Sequence, residues 1–432
     1  MKVLYDISYL SVGHRNLVAR AGIFRVAETL AIGLKKSNEC ELFCVASESY
    51  DRLFDAFDYL KSNSELAEVP LIGTTDRSWQ RRLNLHQAIL EINRQVEESS
   101  GAKKNSYKVK RKFLIWANRY LKKSFKPIDP DLIQKLDIFH SPFDPIPEEI
   151  NQSGHIKKFV TIYDLIPVLY PNFFPAQGGN QTVLKVLSKL NYDSWVFCIS
   201  ESTKNDLCNY SKVIDPQKVF VTHLAASNLF YSCNNRQKNI DVRAKYGIPD
   251  APYILSLSTF EPRKNIDSVI KCFFNLIEQE KKSNLNLVLV GTKGWKYDKI
   301  FTEISSNPQL KNRVIITGYV DNMDLATLYS NATAFVYLSF YEGFGLPPLE
   351  AMQCGTPVIT SNSSSLPEVV GDAGILLDPT DTDGLCHALL NIENHSSIRD
   401  SMSQKSLEQA KKFSWDKTVR ETINGYKIAL NS

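Results

Sequence analysis

Tyr341-Glu342-Gly343-Phe344-Gly345-Leu346-Pro347-Pro348-Leu349-Glu350 joins two structural signals. Before it, Ala334-Phe335-Val336-Tyr337-Leu338-Ser339 is an apolar run of the length of a buried strand. After it a helix is expected over 347–353, because Pro347 or Pro348 suits a first helical turn, where a missing N–H costs nothing. Gly343 and Gly345 let the backbone turn tightly and approach a ligand. The N–H groups freed at the helix start, with the dipole behind them, suit a phosphate. A plainer reading makes Glu350 a dipole-compensating residue of the first turn. That reading covers Glu350 but not Glu342, nor two glycines in three residues.

The same strand, glycine loop and helix recur on either side. Tyr253-Ile254-Leu255-Ser256-Leu257-Ser258 leads into Thr259-Phe260-Glu261-Pro262-Arg263-Lys264-Asn265. Residues 285–290 lead into Gly291-Thr292-Lys293-Gly294, and 314–320 carry Gly318-Tyr319-Val320. Further strands are expected at 2–7, 41–46, 136–142, 158–164, 196–200, 218–223 and 375–378, with helices between, including one over about 21–34. Strands alternating with helices twice over predict an α/β chain of two parallel-sheet, Rossmann-like domains facing a cleft. The expected divisions are 1–230, with a helical insertion at about 50–130, then 246–412, then a terminal helix over 413–432 crossing back to the first domain. The polar stretch 231–239 is the expected linker.

Seven residues separate Glu342 from Glu350. This spacing, with Gly355-Thr356-Pro357-Val358 and Ser365-Leu366-Pro367-Glu368, resembles the Glu-x7-Glu signature of the retaining glycosyltransferases of family 4. The form Glu261-Pro262-Arg263-Lys264-Asn265 is most similar to the bacterial mannosyltransferase-like branch. The resemblance implies a GT-B fold and a nucleotide-sugar donor, GDP-mannose favoured and a UDP-hexose next, with no cofactor and no metal. It implies that Glu342 meets the donor hexose, that Glu350 holds the ribose, and that Gly343, Phe344, Gly345 and Leu346 cradle the diphosphate. Gly318, Tyr319 and Val320 match its base-contacting segment. Lys264 matches the family lysine. Many members place an arginine where Ser258 stands, which makes Arg263 the candidate to replace it. A bidentate guanidinium and a point-charge ammonium together suit a diphosphate.

The first half supplies fewer signals. Gly22 and Arg25 resemble a Gly-x-x-Arg element that faces the cleft on the donor and acceptor side, and equally make an ordinary helix start. His140 ends one strand and Tyr163-Asp164 another. The family's second motif usually carries histidine where Tyr163 stands, which leaves His140 as a catalytic candidate and Tyr163 and Asp164 on the acceptor side. A strand-end histidine also serves as a satisfied structural residue. Asp381-Thr382-Asp383 has the form of a metal-binding Asp-x-Asp, but its place ahead of a helix is explained by N-capping.

A net charge of +4 over 432 residues implies no nucleic-acid partner. Its distribution is uneven: between Lys103 and Lys126 stand ten basic residues and no acidic one, interleaved with Phe113, Trp116 and Tyr120. That composition fits an interfacial membrane contact or a solvated helix whose apolar stripe packs on its own domain. The eight cysteines form no Cys-x-x-Cys pair and mostly sit in apolar runs, as expected of buried thiols in a reducing compartment. With no signal-peptide layout and no apolar run of spanning length, a cytoplasmic location is expected, with peripheral membrane contact through 103–126.

The expected reaction is transfer of a hexose to a hydroxyl of a saccharide or lipid-linked acceptor in cell-surface polysaccharide synthesis. A catalytically silent subunit, or another GT-B enzyme such as an epimerase or phosphorylase, is the alternative.

Overall fold

The computed structural model of the chain describes all residues except 16–21, 47–49, 73–76, 122–127, 129–132, 176–180 and 280–283. β1 (Lys2–Asp6) is buried from Val3 onward and lies between β2 (Glu41–Val45) and β3 (Ile138–Ser141), both parallel to it. β4 (Lys157–Ile162), β5 (Trp195–Cys198) and β6 (Val219–Val221) complete a six-stranded parallel sheet in the order β2-β1-β3-β4-β5-β6. Continuous apolar strands such as Trp195–Cys198 require this arrangement, since helices cover both faces of a parallel sheet.

The second sheet holds β7 (Tyr253–Leu257), β8 (Asn286–Val290), β9 (Val314–Gly318), β10 (Ala334–Tyr337), β11 (Val358–Ser361) and β12 (Ile375–Leu377). Its order is β12-β11-β10-β7-β8-β9, parallel throughout. Strand order therefore reverses between β7 and β10, where Phe335 lies beside Leu255. In doubly wound sheets the ligand crevice opens beyond the carboxyl ends of the strands at such a reversal. Two doubly wound sheets of this kind, facing each other, make the GT-B fold.

Local chemistry sets the element ends. α1 (Ser8–Arg15) follows β1, and α2 spans Ile23–Lys36, starting later than the sequence periodicity predicts because Gly22, at φ 52°, is its N-cap. The expected linker at 231–239 already contains the start of a helix: the Asn235 side chain accepts from Lys238 N and Arg236–Lys245 is helical. Between β2 and β3 lie α3 (Tyr50–Ser62), α4 (Arg77–Glu98) and α5 (Gly101–Leu121). No helix among the described residues is long and apolar enough to cross a membrane.

The terminal helix Trp415–Leu430 packs on the first sheet. Its Tyr426 meets Phe159 edge to face, with ring centroids 4.9 Å apart. Gly425 lies so close to Phe197 that a Cβ there would come within 2.6 Å of the ring. All eight cysteines are free thiols, six of them buried.

Candidate active site

A cavity of about 430 Å³ opens between the carboxyl ends of the two sheets. From the first half it is lined by Gly22 and Arg25 at the start of α2 and by Tyr163 and Asp164 after β4. From the second half come Lys264, Tyr319, Val320, Glu342, Gly343, Phe344, Gly345, Leu346 and Glu350. Residues far apart in the chain thus reach one space, because parallel strands deliver every following loop to the same side.

The loop after β10 needs its glycines for two different reasons. A Cβ on Gly343 would stand 2.3 Å from the Tyr163 carbonyl oxygen, so only glycine lets the two halves close together there. Gly345 takes φ 126° as N-cap of the helix Leu346–Gln353, a backbone conformation that L side chains rarely adopt. Ser365 Oγ donates to the carbonyls of Glu342 and Phe344 at 2.9 and 2.5 Å, and Ser364 Oγ accepts from Glu342 N at 2.9 Å. The turn is therefore held from the neighbouring loop rather than by its own helix.

Glu342 is the charged centre of the site and only 8% exposed. Lys264 Nζ donates to its Oε1 at 2.6 Å, and the Tyr337 hydroxyl donates to the same oxygen at 2.9 Å while accepting from Lys264 at 2.7 Å. Arg263 Nη1 reaches Oε2 at 2.8 Å. Burial alone would push this carboxyl up, but the Arg263 and Lys264 charges outweigh it and hold it at about 2. Glu342 is therefore anionic over the whole physiological range.

Glu350 has the opposite environment. It is 5% exposed; Tyr329 donates to its Oε2 at 3.1 Å, and Arg25 Nη2 lies 3.8 Å from its Oε1. Burial pushes it up to about 7, against the pull of Arg25 and Tyr329. Two carboxylates with seven residues between them are thus shifted in opposite directions, Glu342 down by its cations and Glu350 up by burial.

Three sequence-derived candidates have surroundings other than those expected. His140 is not in the cleft. It is fully buried, its Nδ1 2.6 Å from the Tyr426 hydroxyl and its Nε2 2.8 Å from Thr161 Oγ1, and burial holds it down at about 3. A neutral imidazole in that position ties the terminal helix to the first sheet. Arg263 does not line the cavity but lies behind Glu342, donating to Glu261 Oε1 at 2.6 Å and to the Tyr341 carbonyl at 2.6 Å. Gly318, at φ 71°, accepts from Gly291 N at 3.0 Å at the end of β9, and its neighbours Tyr319 and Val320 are the ones that line the cavity. Asp164 accepts from Ile166 N at 3.0 Å, and burial raises its carboxyl.

Sequence reasoning overlooked Tyr337, Tyr329 and Glu261, which hold Glu342, Glu350 and Arg263 respectively. Tyr337 and Tyr329 read in the sequence as core aromatics, and only their hydroxyl positions reveal the polar role. Asp381 Oδ1 accepts from Gly384 N at 2.8 Å and caps the helix Thr382–Asn394, which accounts for the Asp-x-Asp pattern. Among the described residues no cluster of His, Cys, Asp or Glu has the geometry to hold a metal.

The family described as glycosyl transferases, group 1, matches residues 238–409. O-antigen chain mannosyltransferase B of Escherichia coli is 33% identical over 294 residues, covering 67% of this chain and 74% of that protein. The chain belongs to the group 1 glycosyl transferases. It is a glycosyltransferase, related within this family to bacterial mannosyltransferases. The serotype-specific mannosyltransferase WbdA of E. coli is 28% identical over 314 residues, and the match spans 71% of this chain but 38% of that longer protein. Among solved structures the fold is shared with the sucrose-phosphate synthase of Thermosynechococcus elongatus, at TM-score 0.62 and 18% identity over 99% of this chain and 98% of that one. Anabaena HepE, solved with UDP, gives TM-score 0.63 and 14% identity over 98% and 99%. In this family member, every loop that follows β7 to β10 contributes to the cavity wall.

Proposed function

We propose that this glycosyltransferase moves a hexose, mannose from GDP-mannose being the favoured donor, onto a hydroxyl of a saccharide or lipid-linked acceptor with retention at the anomeric carbon. The observation that carries the reading is the Lys264–Glu342–Tyr337 cluster at the cavity wall, with Glu350 one helical turn beyond the glycine loop. Donor choice is supported by the likeness to O-antigen chain mannosyltransferase B and WbdA. A UDP-hexose stands second, as the family resemblance ranks it; HepE, which shares the fold, was solved with UDP. Residues 246–412 form the donor half in this reading and 1–230 the acceptor half.

Lys264 is paired with Glu342. A diphosphate entering beside the Gly343–Gly345 turn competes for that ammonium and frees Glu342 Oε1 for the hydroxyls of the sugar. Glu350, with Tyr329 behind it, accepts from the ribose hydroxyls. The bond from the anomeric carbon to the diphosphate oxygen breaks as the bond to the acceptor oxygen forms on the same face. The acceptor proton passes to the departing phosphate oxygen, whose charge Lys264 and the turn amides stabilise.

The deciding experiment is thermal shift against GDP-, UDP-, dTDP- and ADP-sugars. A ligand at about 100 times its Kd adds roughly 2.7 kcal/mol. Stabilisation by GDP-mannose that disappears in Lys264→Ala supports donor and site together. Stabilisation by a UDP-sugar alone overturns the donor assignment, and no shift with any of them overturns the donor-site reading as a whole.

A further inference from the structure

α5 carries three large apolar side chains in water. Val109 is 70% exposed and Phe113 and Trp116 are each 62% exposed, with the two rings 6.0 Å apart. At 100° per residue these three positions fall within about 60° of arc, a single narrow row along the helix. Exposed lysines border it on both sides, Lys108 and Lys112 along one edge and Lys103 and Lys110 along the other. The partly buried residues Tyr107, Arg111, Leu114 and Ile115 occupy the opposite side, and α5 packs along α4, on which Ile92 and Val96 are buried. The apolar row is therefore not the face that holds the hairpin together. α4 is in turn fixed to the body of the protein, its His86 lying 2.9 Å from Asp58 and stacked on Phe54 of α3.

We propose that the outer face of α5 is a docking surface for an anionic lipid bilayer, with α5 lying in the plane of the headgroups. Val109, Phe113 and Trp116 enter the acyl boundary, and the bordering lysines extend outward to the lipid phosphates. Charge complementarity selects this occupant: no acidic residue stands between positions 99 and 128 to repel an anionic surface. A nucleic acid would be met by the lysines alone and would leave the apolar row in water. The side chains of 118–121, and residues 122–127 with three further lysines, lie outside the described residues. The inference is independent of the donor assignment. It supplies what a lipid-linked acceptor needs, an enzyme held at the surface where that acceptor resides.

The test is cosedimentation of the full chain with vesicles of phosphatidylcholine alone or mixed with phosphatidylglycerol. Binding is expected only to the mixed vesicles, weakening as salt rises. Each lysine near such a surface contributes about fivefold, so Lys108→Gln, Lys110→Gln and Lys112→Gln together are expected to weaken binding about a hundredfold. The set Val109→Ser, Phe113→Ser and Trp116→Ser is expected to abolish the binding that survives at high salt. Comparison with Trp116→Phe is expected to assign a blue shift in emission on vesicle addition to Trp116. Because the changed side chains are exposed, both sets should keep the thermal stability of the parent, which separates lost docking from lost folding. Absence of vesicle binding overturns the proposal, as does binding unchanged in the apolar set. Lysine-dependent binding of a nucleic-acid duplex in place of vesicles would assign the surface to that partner instead.

Discussion

Arg25 and Glu350 face each other across the cleft, Nη2 3.8 Å from Oε1, one at the start of α2 and the other in the helix that follows the glycine turn. The contact couples the two halves of the molecule through the charge state of one buried carboxyl. Burial raises Glu350 to about 7 from 4.5, so below pH 4.5 it is protonated in folded and unfolded chains alike. Between pH 4.5 and 7 the unfolded chain releases the proton while the folded one retains it.

Stability is therefore expected to fall by about 3 kcal/mol through Glu350 as pH rises from 4.5 to 7. Glu350→Gln removes this loss. Urea denaturation at pH 5 and pH 8 should show the variant gaining on the parent by that amount at the higher pH. Arg25→Ala, which deprives the carboxylate of its cation, should make the parent's loss steeper. An identical pH dependence in parent and Glu350→Gln would refute the assignment.

Glu342 has the opposite sign. Its folded value of about 2 lies below 4.5, so its contribution is complete above pH 4.5 and is lost as pH falls toward 2. Glu342→Gln leaves Lys264 buried without its anion and Arg263 with Glu261 alone, and is expected to cost about 3–5 kcal/mol, besides abolishing transfer. Lys264→Ala keeps Glu342 paired with Arg263 and should cost clearly less in stability, while lowering kcat by about 10²–10³. Denaturation midpoints and transfer rates on the two variants check this ordering.

His140→Phe should separate structure from chemistry. The change strips the Tyr426 hydroxyl and Thr161 of a partner inside the core and is expected to cost about 2–3 kcal/mol. The folded variant should retain the parent's kcat to within a small factor, because the imidazole lies outside the cavity. A loss of kcat by orders of magnitude, with stability unchanged, would return His140 to the reaction.

Gly343→Ala tests the close approach of the halves. The new Cβ meets the Tyr163 carbonyl, and overpacking of this kind costs about 1–3 kcal/mol. The expected outcome is a larger radius of gyration by small-angle scattering, together with a reduced kcat/KM.

The second half was the more legible. The strands around the glycine loops are continuous apolar runs such as 334–338, their turns are marked by Gly343, Gly345 and Gly291, and Lys264 stands in the loop after a strand. The first half hid its site residues because burial and cleft exposure leave the same trace at a strand end. His140 stands in β3 and Asp164 just after β4, both in apolar surroundings in the sequence, yet one lies in the core against Tyr426 and the other lines the cavity. The basic, aromatic composition of 103–126 fitted both a self-packed helix and an exposed one, and only the exposure of Val109, Phe113 and Trp116 distinguishes them.

Local physics accounts for what the sequence by itself determined: two series of parallel strands, the glycine turn between β10 and its helix, and the placing of Lys264, Glu342 and Glu350 in or just after the loops that follow strands. Periodicity, backbone freedom at glycine and charge type are properties of neighbouring residues and can be read in order along the chain. Tertiary structure alone decided that Arg263 lies behind Glu342, that Tyr337 and Tyr329 hold the two carboxylates, and that these carboxylates are shifted in opposite directions. The reason is that a buried group's charge depends on which cations and dipoles surround it, and the cations arrive from segments tens to hundreds of residues away.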